Sequence, residues 1–193
     1  MRHLVLYAHP TRESFNGAIL QTYINALKER GHEIDIRDVY RLDFDPKLTW
    51  EAYRGQLAGN YDRFVKEEWR FWARADAVTL IFPLWWGGLP ALAKGYLDRV
   101  LAYGLAYQLD GEEPIPLLGG KQSALIYTSG TPKELFDETG MSASIRQTLE
   151  EAVFQFCGME TAGVLHFGNA VLATSEEHNH MLQEVKAFAA RFF

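Results

Sequence analysis

Residues 9–16 place an imidazole (His9), a guanidinium (Arg12), a hydroxyl (Ser14), a phenyl ring (Phe15) and a carboxamide (Asn16) directly ahead of a helical pattern. A helix start presents unpaired backbone N–H groups and the positive end of the helix dipole, so this segment is a natural anion site with phosphate as its fitting guest. Ser14 would also serve as a plain helix cap after a turn, so the segment alone leaves both readings open. No G-x-x-x-x-G-K-[ST] motif occurs, which excludes a P-loop. The dinucleotide fingerprint is absent too, so a nicotinamide nucleotide would not be held in the Rossmann manner.

A second run, Pro83-Leu84-Trp85-Trp86-Gly87-Gly88-Leu89-Pro90, sets two indoles and two glycines at the end of an apolar stretch. The indoles would wall a flat aromatic ligand, and glycine lets ring atoms approach backbone N–H groups closely; an isoalloxazine ring needs both. Donors near its N1, O2 and N5 positions would stabilise the anionic reduced ring. Packing of the two tryptophans in the core or at a dimer interface is the competing reading, and the two can coexist. A third run, Thr128-Ser129-Gly130-Thr131-Pro132, supplies hydroxyls and a flexible backbone, although it is also simply a good turn. No metal site is expected: His3, His32, His178 and His180 lack ligand company, even with Glu176 and Glu177 beside the last two. The single cysteine, Cys157, lies in an apolar run and reads as a buried inert thiol.

These segments need a frame. Residues 4–8 form an apolar run ended by His9-Pro10, a buried strand feeding a loop. Residues 16–30 predict a helix with Ile19, Tyr23 and Leu27 on one face, stopped by Gly31. Residues 33–37 alternate polar with apolar, an edge strand. Residues 43–62 lack periodicity and predict a long connection with short helical pieces. Helices are expected over 63–74, 90–102, 142–156 and 175–193, strands over 77–82, 123–127 and 160–167, and a Gly- and Pro-rich loop over 111–120. Five strands alternating with helices predict an α/β fold: a parallel sheet in the order 2-1-3-4-5, covered on both faces, forming a single domain over residues 1–193. Ligands of such sheets bind beyond the carboxyl ends of the strands, where all three runs fall.

With 193 residues, 48% of them hydrophobic, disorder is not expected, and a net charge of −6 gives no support for binding nucleic acid. No apolar run is long enough for membrane insertion or a signal-peptide core, so a cytoplasmic enzyme fits best.

Together the segments resemble the flavodoxin-like NAD(P)H:quinone oxidoreductase family. The matching pieces are Ala8-His9-Pro10 with Ser14-Phe15-Asn16, Ala75-Asp76 leading to Phe82-Pro83-Leu84-Trp85-Trp86, and Pro90-Ala91 with Lys94-Gly95 and Asp98-Arg99-Val100. Ala106-Tyr107, Thr128-Ser129-Gly130 and Phe156-Cys157-Gly158 complete the set. The resemblance implies a non-covalently bound flavin, FMN in preference to FAD because no adenine-binding extension is evident. His9, Phe15 and Asn16, with Arg12 and Ser14, would hold its phosphate arm. Pro83, Leu84, Trp85, Trp86 and Gly87 would line the ring, and Thr128, Ser129, Gly130 and Thr131 would close over its far edge. Tyr107 corresponds to an aromatic residue placed over the flavin across a homodimer interface. NAD(P)H would deliver hydride, and a quinone or related acceptor would then receive two electrons in the same pocket. Phe136 and Ser142 stand where the animal enzymes carry a tyrosine and a histidine that assist proton movement. Two other classes share the fold: an ancillary flavoprotein subunit of a glutathione-gated potassium efflux system, and a one-electron flavodoxin carrier.

Overall fold

The protein is described by a computed structural model covering residues 1–193. Its strands are β1 (Arg2–Tyr7), β2 (Glu33–Asp38), β3 (Ala77–Pro83), β4 (Tyr107–Asp110), β5 (Glu113–Pro116), β6 (Gln122–Thr128) and β7 (Glu160–Phe167). Five of them form one parallel sheet in the order β2-β1-β3-β6-β7, which is 2-1-3-4-5 counted within that sheet. The helices are α1 (Phe15–Glu29), α2 (Trp50–Leu57), α3 (Arg63–Arg74), α4 (Ala91–Val100), α5 (Lys133–Glu138), α6 (Met141–Ile145) and α7 (Ser175–Phe192).

Strand position explains strand composition. All seven residues of the central β3 are buried, because helices cover both faces of the sheet, and its sequence is accordingly apolar but for Thr79, whose hydroxyl bonds to Tyr23 OH at 2.9 Å. β2 lies at an edge and keeps its polar alternation half-exposed. Successive side chains point to opposite faces, so the sheet feeds two cores. Leu4, Leu6, Leu80 and Phe82 pack with Trp72, Tyr96 and Phe154 on one side. Val5, Tyr7, Ile81 and Ile126 pack with Ile19, Tyr23 and Phe188 from α1 and α7 on the other.

Two expectations needed correction. Part of the Gly- and Pro-rich stretch pairs as an antiparallel hairpin, β4 with β5; its four-residue strands are mostly exposed, so no buried face marked them. The helix expected over 142–156 begins at Met141, as α6, and is π-wound from Arg146 to Gln155; the separate short α5 before it was not expected. As expected, the connection over residues 43–62 contains a short helical piece, α2, capped by Thr49, and a 3-10 turn at Val39–Arg41 precedes it. Arg99, almost buried, ties that connection down through the Asp45 carbonyl and the Asp62 carboxylate. No helix is long and apolar enough to cross a membrane.

Candidate active site

The three chemistry-bearing runs meet where strand order reverses, between β1 and β3. Asn16 Nδ2 donates to Thr128 Oγ1 at 2.9 Å, joining the first run to the third inside the protein. Leu84 N donates to Thr128 O at 2.7 Å, joining the second to the third. The rings of His9 and Trp85 lie 6.2 Å apart, completing the circuit.

In the first run Ser14 caps α1 as expected, its Oγ accepting from Gly17 N at 3.2 Å. The same hydroxyl donates to Thr11 O at 3.1 Å, and Tyr7 OH donates to that carbonyl at 2.8 Å. The loop is thereby folded tightly over the helix start. A Cβ on Gly17 would stand 1.9 Å from Arg12 O, so only glycine permits this approach. The N–H groups of Phe15 and Asn16 have no intrahelical acceptor, which leaves two donors at the positive end of the helix. Asn16 Oδ1 is buried and unpartnered. Two side chains in this run are committed elsewhere. Arg12 Nε donates to the buried Asp38 at 2.8 Å, with Arg41 on the same carboxylate oxygen at 3.2 Å. The Phe15 ring stacks on His178 at 4.1 Å and touches Phe167.

In the second run Pro83 and Leu84 are buried scaffold, and Trp85 to Gly88 form a tight turn closed by Trp85 N to Gly88 O at 3.1 Å and its reciprocal at 3.0 Å. Both central residues have positive φ, Trp86 at 53° and Gly87 at 72°, as a type I′ turn requires. Glycine does this freely; for tryptophan it costs about 1–2 kcal/mol. The Trp86 indole is fully exposed, so within one chain it does not wall the neighbouring cavity. That cavity, about 620 Å³ with 13 hydrophobic residues among its 19, opens between Gly87, Gly88, Leu57, Tyr103, Tyr107 and Phe156. Tyr107, half-buried, packs edge-on against Phe156 at 5.2 Å, and burial raises its phenol pKa. Cys157 reaches the same cavity; burial pushes its thiol up to about 11, so it stays protonated and unreactive.

In the third run the Ser129 hydroxyl points inward, to Thr131 O at 2.7 Å and to His166 Nε2 at 2.8 Å. No protein acceptor meets the N–H of Gly130 or Thr131. His166 is a residue that reading the sequence missed. Its only signal is register: β6 and β7 pair Tyr127 with His166, one step from the Thr128 end. Burial above all, and then nearby Lys133, pull its pKa down to about 4, so the ring is neutral at pH 7. Phe136 packs on that imidazole at 5.1 Å.

A family model described as flavodoxin-like fold matches residues 1–191. An uncharacterised NAD(P)H oxidoreductase of Haemophilus influenzae is 34% identical over 95% of this chain and 91% of its own length. The ribosyldihydronicotinamide dehydrogenase (quinone) of Rattus norvegicus is 30% identical over 93% of this chain and 86% of its own. An NAD(P)H:quinone oxidoreductase from Methanothermobacter marburgensis superposes with a TM-score of 0.87 at 28% identity, covering 98% of this chain and 95% of that one. With the strand order, these likenesses place the chain in the flavodoxin-like NAD(P)H:quinone oxidoreductase family, as an oxidoreductase.

Proposed function

We propose that the chain is a flavin-dependent NAD(P)H oxidoreductase, passing two electrons from NAD(P)H to a quinone or similar small acceptor by ping-pong hydride transfer. The observation that carries this reading is the junction at Thr128, where Asn16 and Leu84 draw all three strand-end runs onto one site. The residues fit a phosphorylated tricyclic ring. Phe15 and Asn16 offer N–H donors to a phosphate, and the orphaned Asn16 Oδ1 offers an acceptor to a hydroxyl of the arm that carries it. The resident group we assign is FMN in preference to FAD; it supplies hydride uptake and release.

The chain's own residues do the rest. Ser14 and Gly17 shape the phosphate loop, with Arg12 and His9 at its rim. The tight turn at Trp85–Gly88 leaves the N–H groups of Trp86 and Gly87 without protein acceptors, free to meet ring heteroatoms. Thr128 to Thr131 close the far edge. The Tyr107 phenol, neutral at pH 7, provides an aromatic face and a hydrogen-bond donor to an acceptor in the apolar cavity. A second copy laid over that cavity would bury the exposed Trp86 and Leu57 and carry Tyr107 to the partner's ring, so we assign a homodimer.

Steady-state oxidation of NADH and NADPH with menadione tests the reaction. Parallel double-reciprocal lines are expected of the FMN-loaded protein. Intersecting lines, or no turnover with either nicotinamide, would refute the proposal.

A further inference from the structure

We infer that His166 is a positioning residue for the cofactor edge of this site, acting through the Ser129 hydroxyl; this rests on the flavin reading above. Hydrogen-bond polarity fixes the arrangement. Thr131 O is a carbonyl and only accepts, so the single hydroxyl hydrogen of Ser129 goes to it across 2.7 Å. The 2.8 Å contact with His166 is then a donation from Nε2–H to Ser129 Oγ. The imidazole is thereby held in its Nε2–H tautomer, with Nδ1 buried and unpartnered.

Everything around the pair serves to hold this loop still. The imidazole stacks on Tyr127 at 4.5 Å, nearly parallel, and Phe136 leans on its other side. The backbone of the loop is stitched to the end of β7 by Ser129 N to Phe167 O, Ala170 N to Ser129 O and Asn169 N to Thr131 O, between 2.9 and 3.1 Å. A Cβ on Gly168 would stand 2.2 Å from Lys133 N, so the two segments touch along their backbones. The outcome is a fixed crest at which Gly130 and Thr131 present two successive N–H groups with no protein acceptor. His166 supplies the side-chain donor that holds the Ser129 hydroxyl in place under this crest. Lys133, Glu134 and Asp137 of α5 flank the imidazole, and Glu177, His180 and Glu184 of α7 line the groove outside it. A neutral ring keeps the same polarity of donation throughout the neutral pH range.

Three variants and one pairing test this. His166→Phe keeps the stack and removes the donor; His166→Gln restores a donor at a similar reach; Ser129→Ala removes the acceptor. FMN dissociation constants would be read by fluorescence quenching, alongside circular-dichroism melting of each apoprotein. His166→Phe and Ser129→Ala are each expected to weaken FMN binding about five- to tenfold, the size of one neutral hydrogen bond. The double variant should lose no more than either single one, and His166→Gln should stay within about twofold of wild type. Unchanged affinity in folded His166→Phe, additive losses in the double variant, or no recovery with glutamine would overturn the role. Should His166→Phe fail to fold, His166→Asn, whose shorter amide does not reach Ser129 from the Nε2 position, takes its place, and unchanged FMN affinity in it would overturn the role. A wild-type protein that binds no FMN refutes the flavin reading itself, whereas wild-type-like variants beside an FMN-binding parent refute only the role of His166.

Discussion

The two ends of the sheet use the same materials for opposite purposes. At the amino ends of the strands, polar groups close on one another. Arg2 N and the Asp76 carboxylate bond at 2.7 Å, Asp76 N returns to Arg2 O at 2.8 Å, and Lys121 Nζ caps Ala73 O and Ala75 O. His3, fully buried, meets His32 across 3.2 Å and the Phe193 ring edge-on. At the carboxyl ends, the N–H groups of Phe15, Asn16, Trp86, Gly87, Gly130 and Thr131 have no protein acceptor, and Trp86 is held in a backbone conformation it does not favour. A strained, donor-rich end is what a ligand completes; an end whose backbone groups pair with one another is what holds the sheet together. Each end has a buried neutral histidine, yet only His166 braces a loop with free donors.

The largest expected effect separates two glycines of the same stretch. Gly17→Ala puts a methyl group into the Arg12 carbonyl and should cost about 3 kcal/mol of FMN binding, roughly a hundredfold, by titration. Gly31 at the far end of α1 has positive φ, which Gly17 does not, and nothing lies within 4 Å of its Cβ position. Gly31→Ala should lower stability in urea by about 1 kcal/mol and leave FMN affinity unchanged. Equal behaviour of the two would break the contrast between the ends.

Acid sharpens it further. His3 has its pKa lowered to about 4, by burial first and by His32 second, against an ordinary value of 6.5. The unfolded chain therefore binds more protons between these values, so stability is full above pH 6.5 and falls as pH drops toward 4. His166, at about 4, contributes with the same sign. His3→Gln should flatten the acid limb of melting temperature against pH while leaving FMN affinity at pH 7 untouched; an unchanged limb would mean that His3 is not buried neutral. The smallest effect is expected of Trp86→Asn. Asparagine tolerates positive φ, so the apoprotein should gain up to about 1 kcal/mol in urea unfolding while FMN binding weakens. Loss of stability would remove the strain argument.

Much of this was legible in the sequence because burial writes itself into strand composition. The apolar run at β3 and the alternation at β2 gave the sheet, and its topology gave the place of the site. Ser14, Asn16, Trp85 and Thr128 were visible as chemistry-bearing residues at strand ends. Where side chains point was not legible. The inward turn of Ser129 depends on His166, 37 residues away and brought near only by β6–β7 register. The commitment of Arg12 depends on Asp38 at the end of a different strand. The outward Trp86 depends on a turn type that its own residue disfavours, and the β4–β5 hairpin that carries Tyr107 has no buried face to announce it.

The central claim is that a helix start and two neighbouring loops grip a phosphorylated ring, and titration of the apoprotein with FMN and with riboflavin tests it most directly. One FMN per chain should bind, with riboflavin about a hundredfold weaker or more, because the missing phosphate forfeits charge-assisted bonds of about 1.5–3 kcal/mol each. Equal affinity for the two, or no binding of either, would contradict the account.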